Sequence, residues 1–143
     1  MRSTDGTPIC LLGHVADRDR LADLYANCDA FLHPNPREPF GIAPLEAMAS
    51  GLPVVAPDSG GLLSYANFTN SWLAEATGGA FADAVEDVFS DSTARSVKIE
   101  RAIQTAHDLD WSRSTRRLFQ LYDELHARCL RKVGFAEAEA VRA

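Results

Sequence analysis

At 143 residues the chain amounts to one domain by the prior of roughly 100–200 residues per domain, long enough to bury a core. Its 46% hydrophobic and 24% charged residues are ordinary globular usage rather than that of a disordered chain. Fourteen Lys and Arg against twenty Asp and Glu leave a net charge of −6, which argues against nucleic acid as a partner, because duplex binding rests on a basic surface.

The N-terminal stretch MRSTDGTPICLL carries an acid and too short an apolar run for a signal peptide. No stretch approaches the ~18 apolar residues of a spanning helix. Cys10, Cys28 and Cys129 are odd in number, far apart and without a CxxC, so neither a disulfide framework nor a zinc site is expected. A reduced cytoplasm is the expected setting.

Pro8–Gly13 is a short apolar run closed by glycine and reads as a buried strand over 8–12. Asp17 then precedes Leu21, Leu24, Tyr25 and Cys28 at helical spacing, an amphipathic helix with an acidic cap. A second strand is expected over 30–33, ended by Pro34 and Pro36. Leu45, Met48 and Ala49 share a helical face ended by Gly51, and a third strand is expected over 53–56, broken by Ser59-Gly60-Gly61. Ser71–Ala74 has the look of a short edge strand. Helical stripes follow: Phe81, Val85, Val88 and Phe89; then Ile99, Ile103 and Ala106 after a start at Ser92-Thr93; then Leu118, Leu121, Tyr122, Leu125 and Cys129. Trp111 is expected as a packing anchor and Ser112 or Ser114 as the last helix's cap.

Alternating strands and helices predict an α/β, Rossmann-like parallel sheet with helices on both faces and a helical C-terminal portion. Three strands make a meagre parallel sheet, and the chain opens almost directly on one, so it reads as part of a larger protein.

The chemistry-bearing run is His33-Pro-Asn-Pro-Arg-Glu38-Pro-Phe-Gly41-Ile-Ala-Pro-Leu-Glu46-Ala-Met-Ala-Ser-Gly51. It leaves a strand, makes a proline-rich loop and enters a helix, where ligands of open α/β sheets bind. The N–H groups of Phe40, Gly41, Ile42 and Ala43 are placed to meet a ligand oxygen, and Gly41 has no side chain to block the approach. Glu38 lies ahead of the helix and Glu46 about one turn inside it. Carboxylates suit sugar and ribose hydroxyls, since each oxygen accepts more than one hydrogen bond. A solvated loop charge and a charge favoured by the helix dipole account for the same two residues equally well.

Glu38-Pro-Phe-Gly-Ile-Ala-Pro-Leu-Glu46 resembles the Glu-x7-Glu motif of the retaining family 4 glycosyltransferases of GT-B fold. Gly13-His14-Val15, YANCDAFLHPN, EAMASGLPVVAPDSGG, AFADAVEDVF and LFQLYDEL extend the likeness over roughly residues 8–127. The resemblance implies transfer of a sugar from a UDP- or GDP-sugar to an acceptor hydroxyl with retention, in a glycan or glycolipid pathway. It assigns Glu38, as the catalytic contact, to the donor sugar's hydroxyls. The N–H groups around Phe40, Gly41 and Ile42 would meet the sugar or diphosphate, Glu46 and Leu45 the ribose, and Gly13, His14 and Val15 the base.

No metal or cofactor is implied; the nucleotide-sugar is a substrate. Residues 1–132 correspond to a partial C-terminal donor-binding domain, and 133–143 to a tail that frays. Relative to full members the chain begins downstream of the N-terminal acceptor domain, the glycine-rich loop and a basic pair that grips the diphosphate. Its implied partners are thus the nucleotide-sugar and that missing domain, and the isolated chain is expected to be inactive. Arg113, Arg116 and Arg117 form a solvated basic face, with peripheral membrane contact of the full-length protein as the lesser reading. The alternative function is a truncated, non-catalytic nucleotide-sugar-binding or structural remnant.

Overall fold

The structure is a computed structural model that describes residues 6–140, with side chains through Arg131. The chain forms two compact units, Met1–Ala106 and His107–Ala143. In chain order the elements are α1 (Arg18–Ala26), β1 (Phe31–Leu32), α2 (Ile42–Ala49), β2 (Val54–Pro57), a 3-10 turn (Gly61–Ser64), β3 (Trp72–Ala74), α3 (Gly78–Ser90), α4 (Ser92–Asp108) and α5 (Trp111–Ala140).

The sheet is parallel throughout, in the order β1-β2-β3, with Phe31 opposite Val54 and Val55 opposite Trp72. Every residue of the central strand β2 is buried, as a parallel strand covered on both sides requires. Val55 and Trp72 join Phe81, Ala84 and Val88 of α3 in one apolar cluster. The ammonium of Lys98 lies 4.4 Å from the centre of the Trp72 ring and donates to the carbonyl of Ser71, closing that cluster from the α4 side.

The α/β parallel architecture is as expected, but its strands are not all those predicted. Residues 9–17 have no regular structure, and only an isolated bridge forms at Pro8. Ile9, Leu11 and Leu12 are exposed, so beyond the bridge at Pro8 this apolar run forms no strand and is not buried. The strands expected over 30–33 and 53–56 form as β1 and β2, and β3 is the short edge strand expected over Ser71–Ala74.

The helix starts follow expectation at α1 and α4 and differ at the cap of α5. Asp17 caps α1 as predicted, accepting from the N–H groups of Asp19 and Arg20. α4 starts at Ser92 as expected, with Asp91 accepting from the N–H groups of Thr93 and Ala94. At α5, Asp110 rather than a serine accepts from Arg113 at 2.7 Å. At α5 the aspartate two positions upstream of Ser112 outcompetes serine because its charge also meets the helix dipole. Trp111, expected as an anchor, is 84% exposed. The Leu118, Leu121, Tyr122 and Leu125 face of α5 is exposed as well. Positions 141–143 of the expected tail lie outside the described residues.

Candidate functional site

β1 ends at Leu32, but the next N–H, that of His33, still bonds the carbonyl of Val55 at 2.9 Å. The chain therefore leaves the sheet in a fixed direction. Pro34, Pro36 and Pro39 then stiffen the loop that returns to α2. Gly41 is the N-cap of α2, with φ +87°, a conformation that L side chains rarely adopt. A Cβ there would also meet the Tyr65 hydroxyl at 3.0 Å and Glu38 at 3.1 Å. Glycine is thus required by both backbone and space.

A pocket of about 430 Å³ opens at this corner, lined by His33, Glu38 and the run Pro39–Pro44. That volume lies within the usual range for small-molecule sites. The first-turn N–H groups of α2 have no intrahelical acceptor, and Pro44, in the same turn, contributes none. The pocket therefore joins a helix N-terminus to one carboxylate.

Glu38 is partly buried, and its Oε2 accepts from the Asn35 amide at 3.2 Å. The same oxygen lies 3.5 Å from Nε2 of His33, an atom that is buried without a hydrogen-bond partner. Glu46, on α2, is exposed and accepts from the Tyr25 hydroxyl at 3.3 Å. Burial first, then the Glu46 charge and hydrogen bond, hold the Tyr25 phenol above its ordinary pKa.

The loop is held from outside by the 60–65 segment. The Gly61 N–H donates to the Glu38 carbonyl at 2.8 Å, and the Tyr65 hydroxyl donates to the Gly41 carbonyl at 2.6 Å. The Tyr65 ring meets Phe40 edge-on with centroids 5.2 Å apart. A Cβ on Gly61 would overlap the Pro39 carbonyl oxygen. Burial, and secondly the nearby Glu38, raise the Tyr65 phenol well above its ordinary pKa, so it remains a donor. Tyr65 is in turn fixed by buried Asn70, whose amide donates to the Tyr65 carbonyl at 2.9 Å.

Of the residues the sequence singled out, Glu38, Phe40, Gly41 and Ile42 line the pocket together. Leu45 and Glu46 follow on α2 but do not line it, and neither do Gly13, His14 and Val15. Gly13 has φ +67° in the irregular 9–17 segment. Sequence reasoning missed Tyr65 and Asn35 and counted Tyr25 only as core. The double glycine at 60–61 was the one signal pointing toward the outer clamp. Two Asp-x-Asp triplets, 17–19 and 108–110, supply the helix caps Asp17 and Asp110. Among the described residues, no group of three His, Cys, Asp or Glu side chains is arranged to hold a metal.

Residues 6–105 match the family described as glycosyl transferases group 1. The chain is 35% identical over 89 residues to the GDP-mannose-dependent alpha-(1-6)-phosphatidylinositol dimannoside mannosyltransferase of Mycobacterium tuberculosis, covering 62% of this chain and 23% of that protein. It superposes on sucrose-phosphate synthase of Thermosynechococcus elongatus with TM-score 0.73 and 26% identity, over 87% of this chain and 31% of that one. HepE of Anabaena, solved in complex with UDP, matches with TM-score 0.70 and 26% identity, over 79% and 31%. The chain thus spans less than a third of the length of each of these proteins.

Proposed function

Because the chain belongs to the glycosyl transferases group 1 family, we propose that it binds the nucleotide-sugar donor of a retaining, family 4 glycosyltransferase, as the donor half of a two-domain enzyme. The observation that carries this reading is the pocket at the α2 N-terminus, with Glu38 in its wall and Glu46 one turn further along the helix. A nucleotide-sugar offers hydroxyls at both ends and a diphosphate between them. Carboxylates accept from hydroxyls, and helix N–H groups donate to phosphate oxygens, so the two halves of the site suit the two kinds of group. The UDP-bound HepE relative is in keeping with this assignment.

In this reading Glu38 meets hydroxyls of the donor sugar, the N–H groups around Gly41 and Ile42 meet sugar or diphosphate, and Glu46 holds the ribose beside Leu45. Gly13, His14 and Val15 approach the base. As the anomeric carbon gains positive character, contacts from Glu38 that strengthen at that stage lower the barrier rather than merely improve binding. The departing diphosphate develops charge that preorganised dipoles and cations must meet. No Lys or Arg lines the pocket. Transfer therefore draws its cations from beyond this pocket wall, and this chain alone binds donor without turning it over.

The test is thermal unfolding of the chain with EDTA present and with added UDP, GDP, UDP-glucose or GDP-mannose. A ligand of the folded state raises Tm in proportion to the logarithm of its concentration above Kd. At least one diphosphate nucleotide should do so, and its nucleoside should do less. No shift with any of the four would overturn the proposal. In the complete two-domain enzyme, the anomeric configuration of the product read by NMR tests retention.

A further inference from the structure

The two glutamates stand on opposite sides of a continuous row of rings. Tyr25, at the end of α1, meets Phe31 edge-on with centroids 5.8 Å apart. Phe31 and His33 lie two residues apart, on the same side of an extended run, and their rings stack at 6.4 Å and 11°. The backbone beneath them is fixed, because the N–H groups of Phe31 and His33 bond the carbonyls of Pro53 and Val55, both at 2.9 Å. Each end of the row carries a polar tip directed at one carboxylate. The Tyr25 hydroxyl donates to Oε2 of Glu46, and Nε2 of His33 faces Oε2 of Glu38 at 3.5 Å.

The state of His33 is the informative detail. Its Nε2 is buried and lacks a partner at hydrogen-bonding distance, an arrangement that costs free energy until a partner arrives. The nearest acceptor is Glu38, already held by Asn35 through the same oxygen. A shift of a few tenths of an ångström completes the bond and restrains the plane of the carboxylate. A carboxylate accepts only, so His33 serves as the Nε2–H donor.

Resting on the donor-site reading above, we propose that Tyr25 and His33 are positioning residues for Glu46 and Glu38, and that the Tyr25–Phe31–His33 row sets the spacing of the two carboxylates. Tyr25 then acts on the nucleotide end of the donor and His33 on the sugar end. Both act through a glutamate and neither touches the reacting atoms.

Two double-mutant cycles, read by calorimetric titration with UDP, GDP, UDP-glucose and GDP-mannose, test this. Tyr25→Phe keeps the ring and removes the donor; it should weaken nucleotide and nucleotide-sugar alike by about three- to tenfold. It should add nothing in a Glu46→Gln background. His33→Phe keeps the stack, and should lower the ratio of nucleotide-sugar to nucleotide affinity by a similar factor, adding nothing in a Glu38→Gln background. Additive losses in both cycles, as a general packing role would give, overturn the proposal. So does wild-type affinity of both single variants for every ligand.

A second readout needs no nucleotide. The Tyr25 phenol, identified by its absence in Tyr25→Phe, should ionise at lower pH in Glu46→Gln, followed by ultraviolet absorbance on alkaline titration. An unchanged midpoint overturns the Tyr25 contact. A lowered midpoint in a chain that binds none of the four ligands leaves the contact standing and overturns the donor-site reading instead.

Discussion

Tyr65 shows how much of the site rests on one buried hydroxyl. It donates to the carbonyl of the residue whose left-handed conformation opens α2, and its ring covers Phe40. Tyr65→Phe leaves that buried carbonyl one donor short and should cost about 1–2 kcal/mol, measured by urea unfolding. Its pH dependence has a definite sign. The folded-state phenol lies above the unfolded value of 10.0, so the unfolded chain loses its proton first. The contribution is complete below pH 10 and is lost as pH rises beyond it. Tm of the wild type should thus fall more steeply than that of Tyr65→Phe between pH 9.5 and 11; parallel slopes would contradict this. None of it was legible in the sequence, where a tyrosine four residues after a double glycine carries no periodic signal. Glu38, Phe40 and Gly41 were legible because prolines, glycine and carboxylates in a strand-to-helix loop each have a local physical reason.

Between elements, the decisive contact is the 60–65 segment against the 36–41 loop. Gly61 sits so close to Pro39 that a methyl group forces the two apart. Gly61→Ala should therefore cost about 2–3 kcal/mol in urea unfolding, an overpacking penalty. It should also weaken nucleotide-sugar binding, because the Glu38 carbonyl loses its fixed N–H donor. The far side of α2 is anchored by Met48, which is fully buried. Met48→Ala should destabilise by about 2–4 kcal/mol through a cavity, while the exposed neighbour Ala49→Ser stays within about 0.5 kcal/mol. Composition and spacing identified α1, α2 and α3 because their apolar residues recur at helical period. They failed at 8–12, since a short apolar run becomes a strand only where a paired edge receives it. They read Ser71–Ala74 as a short edge strand, and the buried edge of β2 supplies the partner that makes Trp72–Ala74 one.

Across the whole molecule, protection is concentrated around β2. Its residues are buried on both sides and paired on both edges, whereas residues 9–16 lack regular structure and are mostly exposed. Native-state amide exchange should find Val54 and Val55 among the slowest amides and 9–16 among the fastest. Comparable protection of the two segments would contradict the strand assignment. No helix among the described residues is long and apolar enough to cross a membrane. The functional account concentrates on one corner of this framework, where β1 ends and α2 begins. Its most direct test is calorimetric titration of wild type, Glu46→Gln and Glu38→Gln with a nucleoside diphosphate and the matching nucleotide-sugar. Charge-assisted hydrogen bonds are worth roughly 1.5–3 kcal/mol, so Glu46→Gln should weaken both ligands about tenfold or more. Glu38→Gln should weaken the nucleotide-sugar selectively, reducing its advantage over the free diphosphate. Wild-type affinity in Glu46→Gln, together with an unchanged ratio in Glu38→Gln, would contradict the assignment of this corner as the donor site.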